Sequence, residues 1–234
     1  MTQCVIASER IRQIPYPIFS KPEQYLRFRN GGIIFGFIKR FVEYRAIDRC
    51  LSGLHDVKTI CDCPCGPGRL FPYWKKRNYH IIGAELSEPM LDAARQRHDA
   101  FGLRGSVSRA DAFNLDEELD ELPDLVVSIR FCYYFDKNTR LELIQQLAKA
   151  TRKYLLLQYK TKQTLKGMRN TSQRKLQRRT HPSSKHYLTN QEIAEEIHDA
   201  ELKYLRIENI SQASDFAFVL AEKVNDKHVK GLTR

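Results

Sequence analysis

Asp62 stands directly before a turn built from glycine, proline and cysteine, Cys63-Pro64-Cys65-Gly66-Pro67-Gly68, and the β-branched pair Thr59-Ile60 leads into it. Strand, acid, glycine turn and helix start, in that order, place backbone N–H groups, a helix N-terminus and one carboxylate around a ligand. Gly66 and Gly68 let the backbone approach closely because no Cβ intervenes. Two further acids follow, Glu85 in Gly83-Ala84-Glu85-Leu86-Ser87 and Asp111 in Ala110-Asp111-Ala112. A carboxylate at a strand tip can accept both hydrogens of a vicinal diol, and another can accept from an exocyclic amino group. The spacing therefore points to a nucleotide-like ligand held at the edge of an open α/β sheet.

Such a sheet is what the rest of the chain spells out. Residues 23–54 recur at helical spacing through Tyr25, Phe28, Ile33, Ile34, Phe37, Ile38, Phe41 and Val42, with a break expected at Gly31-Gly32. Strands are expected at 57–63, 80–86, 105–110, 124–129 and 154–159, alternating with helices at 68–77, 88–100 and 138–152, the last capped by Asn138. The run at 124–129, Asp-Leu-Val-Val-Ser-Ile, has the continuous apolar character of a parallel strand buried on both faces. Thr189, with Glu192 three residues on, starts a helix to Ala200 through a capping box. Two strand-like runs, 204–210 and 216–222, are joined by a short link that predicts an antiparallel pair. The expectation is a doubly wound, seven-stranded sheet, mostly parallel, with a C-terminal hairpin and N-terminal helices.

A chain of 234 residues accommodates one α/β domain with a well-buried core. The division read from the pattern is a helical cap over 1–55, a catalytic domain over 56–223 with a basic insertion at 160–190, and a tail over 224–234. The apolar stretch 31–38 ends at Lys39-Arg40, too short to span a bilayer. No secretory leader is read at the N-terminus. Six cysteines in a chain of this length form no disulfide framework, so a cytoplasmic setting is expected. Cys61-x-Cys63-x-Cys65 alternates across a strand and lacks a second ligand pair, which argues against a metal site.

The net charge of +11 is unevenly spread. Residues 1–45 hold eight Lys/Arg against three acids, and residues 160–190 hold nine against none, whereas the remainder is mildly acidic. A field localised in this way implies an anionic partner.

The motif residues resemble the class I S-adenosylmethionine-dependent methyltransferases over roughly residues 57–222. Asp62-Cys63-Pro64-Cys65-Gly66-Pro67-Gly68 is similar to that family's first motif, with Pro64 in place of its first glycine. By the same resemblance Glu85 and Leu86 sit at the ribose, Asp111-Ala112 line the adenine pocket, and Arg130 faces S-adenosyl-L-methionine from the end of the fourth strand. Tyr133 and Tyr134, where relatives that methylate quinones often carry His, are expected to line the acceptor pocket. The N-terminal helices would form a lid, with Tyr25 and Phe28 toward the cofactor.

A nicotinamide dinucleotide is the rival cofactor, and with it an oxidoreductase. Against it, Phe71 stands where the third glycine of that fingerprint belongs, and Asp62 would crowd a pyrophosphate. Cys132 lacks the flanking Pro of a nucleophilic thiol, and no general base can be named. The expected acceptor is an anionic small or lipid-like molecule, met by Arg169, Arg174, Arg178 and Arg179, with the apolar face of residues 33–41 touching ligand or membrane surface. RNA is the alternative partner, disfavoured by sparse aromatics near the basic segment and by the lack of an Asn/Asp-Pro-Pro-aromatic motif after the fourth strand. A cofactor-binding scaffold without catalysis is the third reading.

Overall fold

The computed structural model describes residues 21–30, 33–177 and 186–224. Two helices open it, α1 (Pro22–Asn30) and α2 (Ile33–Leu51), on either side of the expected break. The alternation then runs β1 (Thr59–Asp62), α3 (Phe71–Lys75), β2 (His80–Glu85), α4 (Glu88–Phe101), β3 (Gly105–Arg109), α5 (Leu115–Glu118), β4 (Leu125–Ser128), α6 (Lys137–Lys149) and β5 (Tyr154–Thr161). It closes with α7 (Leu165–Gln177), β6 (Tyr187–Leu188), α8 (Asn190–Asp199), β7 (Leu202–Asn209) and β8 (Phe216–Lys223).

The strands form one sheet in the order β3-β2-β1-β4-β5-β8-β7, with the two-residue β6 beside the end of β5. The first five strands pair in parallel, while β8 runs antiparallel to both β5 and β7. The doubly wound sheet with a C-terminal hairpin is thus present, with β6 as an additional short strand. Residue alternation divides the core between the two faces: Cys61, Val126, Leu155 and Leu157 pack on one side, and Ile60, Leu125, Val127 and Leu156 on the other. All four residues of β4 are buried, as a central parallel strand requires. The order reverses between β1 and β4, so the crevice at their carboxyl ends is the topological switch point.

Local chemistry set most boundaries and moved two expectations. Thr189 accepts from the Glu192 N–H at 3.1 Å while the Glu192 carboxylate reaches back to the Thr189 N–H, giving the expected capping box. Helix α6 instead starts at Lys137, one residue earlier, and its cap lies two residues earlier. Asp136, not Asn138, accepts from the Thr139 N–H at 3.0 Å, because a carboxylate outside the helix reaches the third amide more readily than a residue already within it. The helix after the glycine turn is also shorter than expected. Pro67 to Leu70 form turns, and α3 begins at Phe71. Inside the basic segment, the Thr164 hydroxyl accepts from the Gly167 N–H at 3.0 Å near the start of α7.

Candidate functional site

The turn after β1 is fixed on both sides. Cys63 N–H donates to the Val127 carbonyl of β4 at 2.9 Å, and Cys65 N–H to the Ala84 carbonyl of β2 at 2.9 Å. Gly66 and Gly68 both have positive φ, +57° and +67°. A Cβ at Gly68 would lie 2.5 Å from the Phe71 ring, so that glycine is needed to seat Phe71. A Cβ at Gly66 would meet nothing within 4 Å, so this backbone faces open space. Phe71, fully buried, fills the position of the missing third glycine.

Around that open face the strand ends present their acids. Asp62 is 2% exposed, and its Oδ2 accepts from Trp74 Nε1 at 3.2 Å. Burial lifts its pKa to about 7, against the Trp74 hydrogen bond and the Arg69 charge, which favour ionisation. Glu85 is also buried. Its Oε2 accepts from the Gly66 N–H and its Oε1 from the Ser87 N–H, each at 2.9 Å. Desolvation raises its pKa, partly countered by these backbone donors. Leu86 follows at the strand tip. Asp111 accepts from the Phe113 N–H at 3.0 Å and donates its own N–H to Glu118 at 2.9 Å, beside the buried Ala112.

Arg130, placed after β4, shares a carboxylate with Arg69. Arg69 donates to Glu43 at 2.7 and 3.2 Å, and Arg130 Nη2 donates to the same carboxylate at 3.2 Å. All three side chains are largely buried, at 5, 8 and 16% exposure for Glu43, Arg69 and Arg130. Burial pushes the Glu43 pKa up, but Arg69 and Arg130 overcome it and bring it down to about 2, so the carboxylate is ionised. Helix α2 is thereby fastened to the glycine turn and to the β4 exit.

Tyr133 and Tyr134, in a single 3-10 turn over Cys132–Tyr134, are buried at 1 and 3% exposure. Tyr133 packs on Tyr134 and Phe216 at centroid distances of 4.7 and 5.4 Å. At the end of β5, Lys160 pairs with Asp215, which also accepts from the Tyr187 hydroxyl at 2.6 Å and from Asn170 at 3.1 Å. Burial works against the Asp215 charge, yet the Lys160 and Tyr187 contacts bring its pKa down to about 2. Arg169 is exposed on α7. The side chain of Arg174, like that of Phe28, lies outside the described residues, as do Arg178 and Arg179. Tyr25 is buried at 8%.

The cysteines at this rim are thiols. Burial pushes Cys132 up to about 12, and its Sγ donates to the Gln158 carbonyl at 2.9 Å. Cys61, Cys63 and Cys65 are raised by the same cause. Among the described residues no group of three or more His, Cys, Asp or Glu gathers to hold a metal ion.

Glu43, Arg69 and Trp74 were not singled out as site residues from sequence. Arg69 follows the turn directly and carried a signal. Glu43 lies 26 residues before Arg69 and 87 before Arg130, so no local pattern marks it.

Comparison with known proteins bears on the domain and the fold. Residues 60–154 match the family model described as "Methyltransferase domain". Over 74 residues the chain is 31% identical to the malonyl-[acyl-carrier protein] O-methyltransferase of Salmonella typhimurium, a match spanning 32% of this chain and only 29% of that protein. Among solved structures, magnesium protoporphyrin IX methyltransferase from Synechocystis PCC 6803, with bound S-adenosylhomocysteine, superposes with a TM-score of 0.65 at 15% identity, covering 86% of this chain and 93% of that one. An O-methyltransferase from neocarzinostatin biosynthesis, in complex with S-adenosyl-L-homocysteine and 1,4-dihydroxy-2-naphthoic acid, gives a TM-score of 0.64 at 15% identity over 88% of this chain and 60% of the other. At such identities the likeness of the solved structures is one of fold.

Proposed function

We propose that this chain, whose residues 60–154 match a methyltransferase domain, is a class I S-adenosylmethionine-dependent enzyme that binds S-adenosyl-L-methionine and transfers its methyl group to a small-molecule acceptor. The observation that carries the reading is the set of acids Asp62, Glu85 and Asp111 at the ends of three neighbouring strands, around the open face of Gly66. The residues suit the group. Asp62 is a buried carboxylate whose hydrogen bond comes from neutral Trp74, which leaves it a place for an ammonium. Glu85 spends one lone pair of each oxygen on backbone N–H and keeps capacity for a ribose diol. Asp111 and Ala112 border the adenine, and Gly66 admits the ligand's approach. When bound, the cofactor supplies an electrophilic methyl on a sulfonium. The protein's part is to align the acceptor and exclude water, which requires no dedicated base. Cys132, held as a thiol, takes no nucleophilic role.

The acceptor is an anionic small or lipid-like molecule. Exposed Lys166 and Arg169 on α7 supply positive charge, and Phe37, Ile38 and Phe41 on α2 are 64, 51 and 54% exposed. A neighbouring fold whose complex contains an aromatic acid supports this class. RNA remains the second reading on the strength of the basic segment. Its affinity would fall steeply with salt, and no binding at low salt removes it. The five cysteines among the described residues are free and buried, which favours a cytoplasmic setting.

Thermal stabilisation by S-adenosylmethionine, S-adenosylhomocysteine and NAD(H) tests the cofactor. Ligand at 100 times its Kd stabilises by about 2.7 kcal/mol. The first two ligands should shift the wild type and not Glu85→Gln. A shift with NAD(H) alone, or with none of them, refutes the assignment.

A further inference from the structure

We propose that the first half of α2 and the first turn of α7 form one docking face for the surface of an anionic phospholipid bilayer. Docking there turns the crevice at the strand ends toward the lipid. It deepens the S-adenosyl reading by naming where the acceptor is met, and in that respect rests on it.

Six large apolar side chains are exposed among the described residues, and five of them belong to these two helix starts: Phe37, Ile38 and Phe41 on α2, Leu165 and Met168 on α7. The sixth, Val224, lies at the other end of the sheet, next to Lys223, whose N–H bonds to Lys153 just before β5. Exposed apolar groups scattered singly need no explanation, whereas a concentration at one rim marks a contact surface. Helix α7 leaves the carboxyl end of β5. In α2, Glu43 is bonded to Arg69 beyond β1 and to Arg130 beyond β4, and residues 37–41 continue past it by about 3 to 9 Å along the helix axis. Both segments therefore stand at the rim where β1, β4 and β5 end. Neither is loosely held. Leu165 and Lys166 donate their N–H groups to Gln212, each at 3.2 Å, and Asn170 donates to Asp215 at 3.1 Å. A Cβ at Gly167 would collide with the Thr161 carbonyl, so α7 lies directly on the end of β5. With the inner faces so committed, the spacing of Phe37 with Phe41, and of Leu165 with Met168, turns a second apolar row outward.

Charge identifies what covers these rows. Lys39 and Arg45 are exposed on α2, the latter with its guanidinium 5.9 Å from the centre of the Phe41 ring, and Lys166 and Arg169 are exposed on α7. No acid occurs in residues 24–42 or 160–190. Basic heads on long stems beside apolar side chains suit a bilayer interface, where the apolar groups enter the acyl boundary and the cations meet phosphates. A nucleic acid would answer the charge but leave the aliphatic Ile38, Leu165 and Met168 in water, because its bases stack on aromatic rings. No described helix is long and apolar enough to cross a membrane, so the contact is with the surface.

The test is co-sedimentation of the full chain with vesicles, without cofactor. Vesicles of equal parts phosphatidylglycerol and phosphatidylcholine should bind it at least about tenfold more tightly than phosphatidylcholine alone, since each Lys or Arg near an anionic surface contributes about fivefold. Phe37→Gln with Phe41→Gln, and separately Leu165→Gln with Met168→Gln, should each weaken that binding by at least about tenfold. Lys166→Gln with Arg169→Gln should weaken it by a similar factor and flatten its dependence on salt. Val224→Gln, at the far end, should leave it within about twofold. All these side chains are exposed, so every variant should melt with the wild type. Absence of binding to the anionic vesicles at low salt overturns the proposal, as does binding that either apolar pair leaves unchanged. Binding to a single-stranded RNA oligonucleotide and not to vesicles overturns it in favour of nucleic acid. Because S-adenosylhomocysteine plays no part, failed docking would leave the thermal response to that ligand intact, and a failed cofactor assignment would leave vesicle binding as expected.

Discussion

Asp62→Asn should stabilise the ligand-free protein at neutral and higher pH while abolishing its response to the cofactor. The carboxyl is 2% exposed and its pKa is carried from 3.8 to about 7, chiefly by burial. The unfolded chain releases this proton near 3.8, so between 3.8 and 7 the folded state binds a proton that the unfolded state does not. Stability from this group is therefore complete below about pH 4 and is lost as pH rises through 7. Three pKa units correspond to about 4 kcal/mol. Asn removes the titration, and its amide oxygen can still accept from Trp74 Nε1. The stability of the variant relative to wild type should thus rise by about 4 kcal/mol from pH 4 to pH 8 and level off above. For a domain of this size that is a relative Tm change on the order of 10 °C. Denaturant or thermal unfolding of both proteins across this range, taken as a difference, cancels every other titrating group. With S-adenosylhomocysteine present, wild type should gain stability at pH 8 and the variant little. A difference that does not depend on pH between 4 and 8 would refute the assignment of the shift to Asp62. A variant that responds normally to the ligand would refute its role at the ammonium.

The two glycines of the turn should separate stability from binding. Gly68→Ala forces a Cβ against Phe71 at positive φ and should cost at least about 2 kcal/mol by denaturant unfolding. Gly66→Ala meets open space, so it should cost about 1 kcal/mol for its backbone alone but lose most ligand-induced stabilisation. Arg140→Met removes the two guanidinium hydrogen bonds of 2.6 and 2.7 Å from Glu196, 2% exposed, leaving it only the Tyr159 hydroxyl at 3.1 Å, and should destabilise by about 3–5 kcal/mol, partly restored by adding Glu196→Leu. Cys132→Ser should leave methyl transfer within about twofold, because a thiol pushed up to about 12 is no nucleophile at neutral pH.

What the sequence made legible was whatever a short window contains. The β-branched run, the acid and the glycines of 59–68 specify their own turn, and the apolar run of β4 specifies a doubly buried strand. The two-residue β6 left no such trace. It pairs with β5 only at Lys160 and Thr161, a gain that depends on where α7 and α8 come to rest. The extent of α3 also departed from pattern, because the periodicity of 68–77 is shared between turns and a helix of five residues. Tyr133 and Tyr134 were read as pocket-lining from their place after β4, yet both are buried, Tyr133 against Phe216 and Lys160 and Tyr134 against Tyr133. Aromatic residues at a strand exit read alike whether they face a ligand or the core.

The charges escaped for a more general reason. Hydrophobic burial is written in composition and period, because any neighbour of the right size satisfies it. A buried ion is satisfied only by a particular partner, and that partner can lie anywhere in the chain. Glu43, Arg69 and Arg130 come from a helix, a glycine turn and a strand exit, and each alone looks like an ordinary surface charge. Folding brings them together because α2 packs Ala46 and Ile47 into the core that also holds Leu70 and Phe71, which sets Glu43 one turn away. Apolar periodicity thus positions the helix, and its ionic contact follows. The acids at the strand ends can be read from motif spacing, whereas the contact that α2 makes with the glycine turn appears only once the packing is known.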